Sequence, residues 1–105
     1  MAITTLTMNN FDAEVLQSKD TVLIDFWASW CGPCRMLGPV IDEIATAAPK
    51  GVKVCKVDVD AEPELASKFR VMSIPTLVVL KDGRIVGSSV GVKPKQAILG
   101  MLQSA

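Results

Sequence analysis

The sequence predicts an α/β fold in which one central mixed β-sheet is flanked by helices, in the order β-α-β-α-β-α-β-β-α. Three observations lead there. Short apolar runs of strand length alternate with stripes of helical period along most of the chain, the pattern of parallel strands joined by helical crossovers. Asp82-Gly83 lies between two such runs, the strongest short hairpin signal, and makes the last strand pair antiparallel. No repeat, linker or low-complexity tract interrupts the 105 residues, so a single domain, 1–105, is expected, long enough to bury a core without staples.

Ile3 to Leu6 suits a short first strand. Asn9 or Asn10 is placed to cap a helix carrying Phe11 and Val15 at i,i+4 spacing. Thr21 to Trp27 (TVLIDFW) is nearly continuous in apolar character, as a parallel strand covered on both faces must be. A helix follows with Leu37, Val40, Ile41, Ile44 and Ala48 on one stripe, opposite Asp42 and Glu43. Pro39 lies inside it and removes the bond to the Arg35 carbonyl, so a kink is expected. Val52 to Val59 alternates as a third strand, and Leu65 and Phe69 mark a third helix. Thr76 to Leu80 and Arg84 to Val90 form the hairpin arms, and Pro94 suits the first turn of a last helix bearing Ile98, Met101 and Leu102.

Composition narrows the chemistry. Eleven basic residues balance eleven acidic ones, whereas a nucleic-acid or membrane-surface binder shows a basic excess. With no histidine, imidazole-based metal or acid–base chemistry is excluded. The N-terminal stretch Met1 to Thr5 lacks the basic and long apolar regions of an export signal, and no apolar run approaches the ~20 residues that span a bilayer. The cytosol is therefore the expected compartment. Thiols stay reduced there, and an odd count of three cysteines fits a disulfide framework poorly.

Trp30-Cys31-Gly32-Pro33-Cys34 falls where the buried strand ends and the next helix opens. Two intervening residues in a first helical turn bring both sulfurs within bonding distance. Gly32 allows close approach, and Pro33 lacks only an N–H that would be orphaned there. Cys31 stands at the helix N-terminus, where unpaired N–H groups and the macrodipole stabilise a thiolate. Cys31 is thus the expected nucleophile and Cys34, one turn inside, the resolving thiol. A structural zinc site needs four ligands and an iron–sulfur cluster likewise, but only Cys55 remains besides the pair. A regulatory or structural disulfide stays open as the alternative, although it is unusual in the cytosol.

The run Asp25-Phe26-Trp27-Ala28-Ser29-Trp30-Cys31-Gly32-Pro33-Cys34 closely resembles the active-site segment of the thioredoxin family. The match continues through Pro39, Lys56, Asp60, Ile74-Pro75-Thr76, Asp82-Gly83 and Gly91, and so covers nearly the whole chain. The resemblance implies the thioredoxin fold, no cofactor, and reduction of protein disulfides through a mixed disulfide on Cys31 that Cys34 resolves. It also implies that an NADPH-dependent flavoprotein reductase regenerates the dithiol and that the chain acts as a monomer. An oxidant or isomerase on the same fold often carries His before the second Cys, and Pro33 here argues for a reductant. A binding module in which the dithiol is incidental is the reading from another class.

The supporting residues read less directly. Asp25 sits in an apolar strand with Leu23 and Trp27 on its own face. It is either solvated or buried, and burial would raise its pKa. The resemblance favours burial and a role as proton acceptor for Cys34. Lys56 shares an alternation face with Asp58 and Asp60, which reads as a solvated edge, whereas the resemblance places it beside the buried acid. An ordinary X–Pro bond is trans, cis being only ~5–6%. The resemblance implies a cis bond at Pro75, with Ile74 offering its main chain to an extended substrate peptide. Trp30, Ile74, Pro75, Val90, Gly91 and Val92 are a candidate apolar patch around Cys31, with Gly32 and Pro33 beside it. Trp27 is expected to support the turn from the core, and Cys55 to be a buried, inert thiol. Arg70 and Ser73 stand where many relatives have glycine.

Overall fold

A computed structural model describes residues 3–105. Met1 and Ala2, part of the stretch read for an export signal, lie outside the described residues. Five strands, β1 (Thr4–Thr5), β2 (Thr21–Trp27), β3 (Val52–Asp58), β4 (Thr76–Lys81) and β5 (Arg84–Val90), form one sheet in the order β1-β3-β2-β4-β5. The first three run parallel, β4 pairs antiparallel with β2 and β5 antiparallel with β4, giving the mixed sheet expected from the alternation and the Asp82-Gly83 turn.

The central strand β2 is apolar throughout because both faces are covered. Val22, Ile24 and Phe26 pack with Leu6, Phe11, Val15, Cys55 and Leu65 in one layer. Leu23 packs in the other with Leu37, Ile41, Ile44, Val54, Leu77, Ile98 and Leu102. This second layer is roofed by α1 (Gly32–Thr46) and α3 (Lys95–Gln103), the first by a π-helical turn at Asp12–Leu16 and by α2 (Pro63–Lys68). Among the described residues no helix is long and apolar enough to cross a membrane.

Several local expectations are corrected. The cap of the first helical segment comes from Thr7, not Asn9 or Asn10 as the N-cap. Thr7 Oγ1 accepts from the Asn10 N–H at 3.2 Å, and Asn10 Oδ1 accepts from the Thr7 N–H at 2.8 Å. This reciprocal pair is a capping box with Asn in the third helical position. Asn10 thus serves the same terminus from inside the first turn. The helix α1 ends at Thr46, so Ala48 falls beyond its stripe, while the chain runs on helically through Pro39.

Asp82 and Gly83 both have positive φ, 53° and 75°, as a two-residue hairpin turn with right-handed strand twist requires. The turn lies at the end of the sheet remote from Trp27, because Lys81 and Arg84 pair at one end of β4 and Thr76, beside Phe26, begins the other. A Cβ on Gly83 would meet nothing closer than ordinary contact distance, so its backbone conformation alone opposes a side chain. Gly83→Ala is accordingly expected to cost about 1 kcal/mol in chemical denaturation, with the rate of disulfide exchange unchanged.

Candidate active site

The strand β2 delivers the chain to the site and α1 carries it away. After Trp27 the backbone turns through Ala28, Ser29 and Trp30, and the Cys31 N–H closes that turn on the Ala28 carbonyl at 3.2 Å. Cys31 is the N-cap of α1, with extended backbone (φ −89°, ψ 112°), and Gly32 and Pro33 fill the first two helical positions. Its sulfur accepts a hydrogen bond from the Cys34 N–H at 3.2 Å. A sulfur therefore occupies the place that a Ser or Asp oxygen takes at an ordinary helix start. Pro33 breaks no bond there, as its position would have an orphan donor.

Cys31 and Cys34 are joined as a disulfide with their Cα atoms 5.3 Å apart, inside the usual range for such bonds. Both residues are nearly covered, 4% and 5% exposed, and pack with Ala28 against Trp27, Val59 and Ile74. Their surroundings separate them. Cys31 Sγ lies 3.8 Å from the Ile74 carbonyl oxygen, on the side where Trp30 and Ile74 meet solvent. Cys34 lines a cavity of about 180 Å³ on the other side, with Asp25, Trp27, Ala28, Ser29, Arg35, Gly38 and Lys56.

Asp25 is buried, only 2% exposed, so the solvated alternative for it does not hold. Its Oδ1 has no hydrogen-bond partner among the described residues. Burial is the largest influence on it and pushes its pKa from 3.8 up to about 6; Lys56 opposes the rise, and Asp42 adds to it. Lys56 is the residue paired with Asp25 across the parallel ladder of β2 and β3. It does not sit on a solvated edge, since β3 lies between β1 and β2, and its side chain is only 26% exposed. Strand alternation alone cannot show this, because a lysine stem lies along apolar surface while its ammonium reaches outward.

The Ile74–Pro75 bond is cis. Pro75 is buried and immediately precedes β4, which places Ile74 two residues before the first strand residue, outside the hydrogen-bonded ladder. Gly91, with φ +91°, donates its N–H to the Pro75 carbonyl at 2.8 Å and ties this loop to the end of β5. That N–H is thereby engaged within the protein. Trp30 is 64% exposed and donates from Nε1 to Asp60 Oδ2 at 2.8 Å; Asp60 is itself held by a turn on Asp58 Oδ1. A groove of about 370 Å³ runs from Trp30 past Val59, Ala66, Val71, Met72 and Ser73 to Ile74. Val90 and Val92 are exposed nearby in sequence to Gly91, whereas Pro75 is buried. Trp27 is half-buried against the disulfide.

Three contributors escaped the sequence reading. Met72, 93% exposed, widens the apolar groove, and its place in the run before Ile74-Pro75 was the available signal. Asp60 was matched but given no role, and it orients Trp30. Asp42 pairs with Lys56, with Nζ and Oδ1 3.6 Å apart, which no local pattern reveals because the partners are on a helix and a strand.

Residues 2–104 match the family model described as Thioredoxin. The chain belongs to the thioredoxin family. It is 52% identical over 98 residues to a thioredoxin of Bacillus subtilis (strain 168), covering 93% of this chain and 92% of that protein. It is 50% identical over 97 residues to thioredoxin 1 of Synechococcus elongatus, covering 92% and 91%. A bifunctional thioredoxin reductase/thioredoxin of Mycobacterium leprae is 48% identical over 94 residues, covering 90% of this chain and 20% of that protein. Membership, together with a Cys-x-x-Cys pair at bonding distance, makes the chain a thiol–disulfide oxidoreductase that reduces protein disulfides.

Asp25 also links the thioredoxin site to stability. Its carboxyl binds a proton more tightly in the folded chain than in the unfolded one, so the folded state is favoured most below pH 3.8. That advantage is lost as pH rises through about 6. Asp25→Asn removes a charge but little volume. It is expected to raise unfolding free energy at pH 7 by up to about 3 kcal/mol, with the gain shrinking towards zero near pH 4 in denaturant titrations.

Proposed function

We propose that Cys31 is the attacking thiol, Cys34 the resolving thiol and Asp25 the proton acceptor for Cys34. One observation carries this assignment: the disulfide sits at the start of α1 with Cys34, not Cys31, sharing a cavity with an unpaired buried carboxylate. In the reduced chain the Cys31 thiolate is stabilised by the Cys34 N–H and by the helix terminus. It attacks one sulfur of a substrate disulfide. The substrate S–S bond breaks, its second sulfur leaves as a thiolate and takes a proton, and a mixed disulfide forms on Cys31.

Resolution needs a thiolate at Cys34. Asp25, with a pKa near 6, is largely ionised at neutral pH yet basic enough to take the Cys34 proton, directly or through water in the cavity. The Cys34 thiolate then attacks Cys31 Sγ. The Cys31–Cys34 bond forms, the mixed disulfide breaks, and the substrate leaves reduced with two electrons from the dithiol. Lys56 tunes Asp25 from the neighbouring strand.

Substrate docks on the apolar surface beside Cys31. Trp30 supplies its exposed ring, Gly32 and Pro33 present exposed backbone and ring beside Cys31, and the Ile74 main chain pairs with an extended peptide. Pro75 and Gly91 hold that segment in place. We propose further that the chain works as a monomeric, cytoplasmic electron donor, one domain over 1–105, with no membrane or nucleic-acid partner. An NADPH-dependent flavoprotein thioredoxin reductase returns it to the dithiol, a pairing consistent with the fused Mycobacterium leprae relative.

Insulin disulfide reduction tests the assignment. Cys31→Ser should abolish turnover, and Cys34→Ser should abolish turnover while accumulating a mixed disulfide on Cys31 detectable by mass spectrometry. Asp25→Asn should slow the resolving step by about 10²-fold near neutral pH, the lower end of the usual range for a lost general base. Adducts collecting on Cys34 instead of Cys31 would reverse the two roles.

A further inference from the structure

We propose that Asp42, on the same side of α1 as Cys34 and Gly38, is a positioning residue for the exchange reaction: its carboxylate holds the Lys56 ammonium and limits how much of that charge reaches Asp25. The proposal rests on the reading of Asp25 as the proton acceptor for Cys34.

The geometry gives one ammonium two carboxylates to choose between. Lys56 and Asp25 are register partners on adjacent strands, and both line the cavity beside Cys34. Asp25 nevertheless keeps an oxygen without a hydrogen-bond partner among the described residues, while Lys56 Nζ lies 3.6 Å from Asp42 Oδ1. Cys34, Gly38 and Asp42 follow one another at i+4 spacing and so share one side of α1. Gly38 lines the cavity without a side chain, which leaves the way open between Lys56 and Asp42.

The chemistry favours such an arrangement. A direct contact with Lys56 would hold Asp25 ionised and make it a weak base towards a thiol. Drawing the ammonium outward preserves the proton affinity that burial gives Asp25, and the negative charge of Asp42 itself adds to that affinity. The other groups facing this region are few. From α1 come Cys34 and Arg35, whose Nε donates to the Ser29 carbonyl, and Glu43, which pairs with Lys95 of α3. From β3 comes Asp58, engaged by the turn that holds Asp60. From β4 the neighbour of Asp25 is the apolar Leu77.

The test reads the Asp25 carboxyl directly, by carbon NMR titration of the oxidised protein, so it does not depend on what Asp25 does in catalysis. Asp42→Asn should lower the Asp25 midpoint by about half a pH unit, the effect expected of a partly exposed ion pair. In a Lys56→Met background, where no ammonium remains to be held, the same substitution should move it by less than about half that amount. The Asp42 side chain is 63% exposed, and methionine preserves the apolar stem of Lys56, so both variants should fold. No shift in Asp42→Asn, or an equal shift with and without Lys56, would overturn the proposal. The kinetics of Asp25→Asn separately decide whether Asp25 is the proton acceptor.

Discussion

The hydrogen bond from the Cys34 N–H to Cys31 Sγ joins backbone structure to redox chemistry. It exists because a fully buried strand ends at Trp27, a short turn follows, and a helix must begin on whatever side chain stands at position 31. Placing sulfur there satisfies a donor that the helix leaves unpaired and, in the reduced chain, directs that donor at a developing thiolate. Much of the remaining architecture serves this junction. The Ile74-Pro75 loop and Val59 wall the sulfurs from the side, and Gly91 fixes that loop to β5. Trp30 is held open by Asp60.

A second constraint acts from below. Burying a carboxylate in the central strand opposes folding, and the proposed role of Asp25 as a base beside the inner sulfur gives that cost a purpose. The two cysteines are equally covered in the disulfide form, so exposure does not distinguish them. Their neighbours do: Cys31 Sγ lies by the carbonyl of Ile74, which lines the solvent-facing groove, and Cys34 lines a small cavity with Asp25. The proposed difference in role thus rests on the two sides of a single helical turn. Cys55, by contrast, lies buried in the opposite layer, and burial pushes its thiol up to about 12, so little of it is thiolate at neutral pH.

The fold was largely legible because its signals are local. Continuous apolar character in Thr21–Trp27, the stripe of Leu37, Ile41 and Ile44, and the Asp82-Gly83 turn each specify one element, and alternation specifies their order. The dithiol was legible for the same reason. What alternation could not convey was depth. Lys56 shares a period with Asp58 and Asp60, yet its side chain is only 26% exposed, because it lines the cavity between β2 and α1 with Asp25 and Cys34. The Thr7–Asn10 pair was missed because a capping box begins one turn before the apolar stripe that reveals the helix. The ion pair of Asp42 with Lys56 and the hydrogen bond of Trp30 to Asp60 connect elements distant in sequence, and only the assembled sheet brings them together.

The most direct measurement is the pH dependence of iodoacetamide alkylation in the reduced protein, with the labelled cysteine located by mass spectrometry. Stabilisation at the helix start predicts that Cys31 reacts first, with a midpoint well below the roughly 8.5 of a free thiol. First labelling at Cys34, or a midpoint for Cys31 at or above that value, would contradict it.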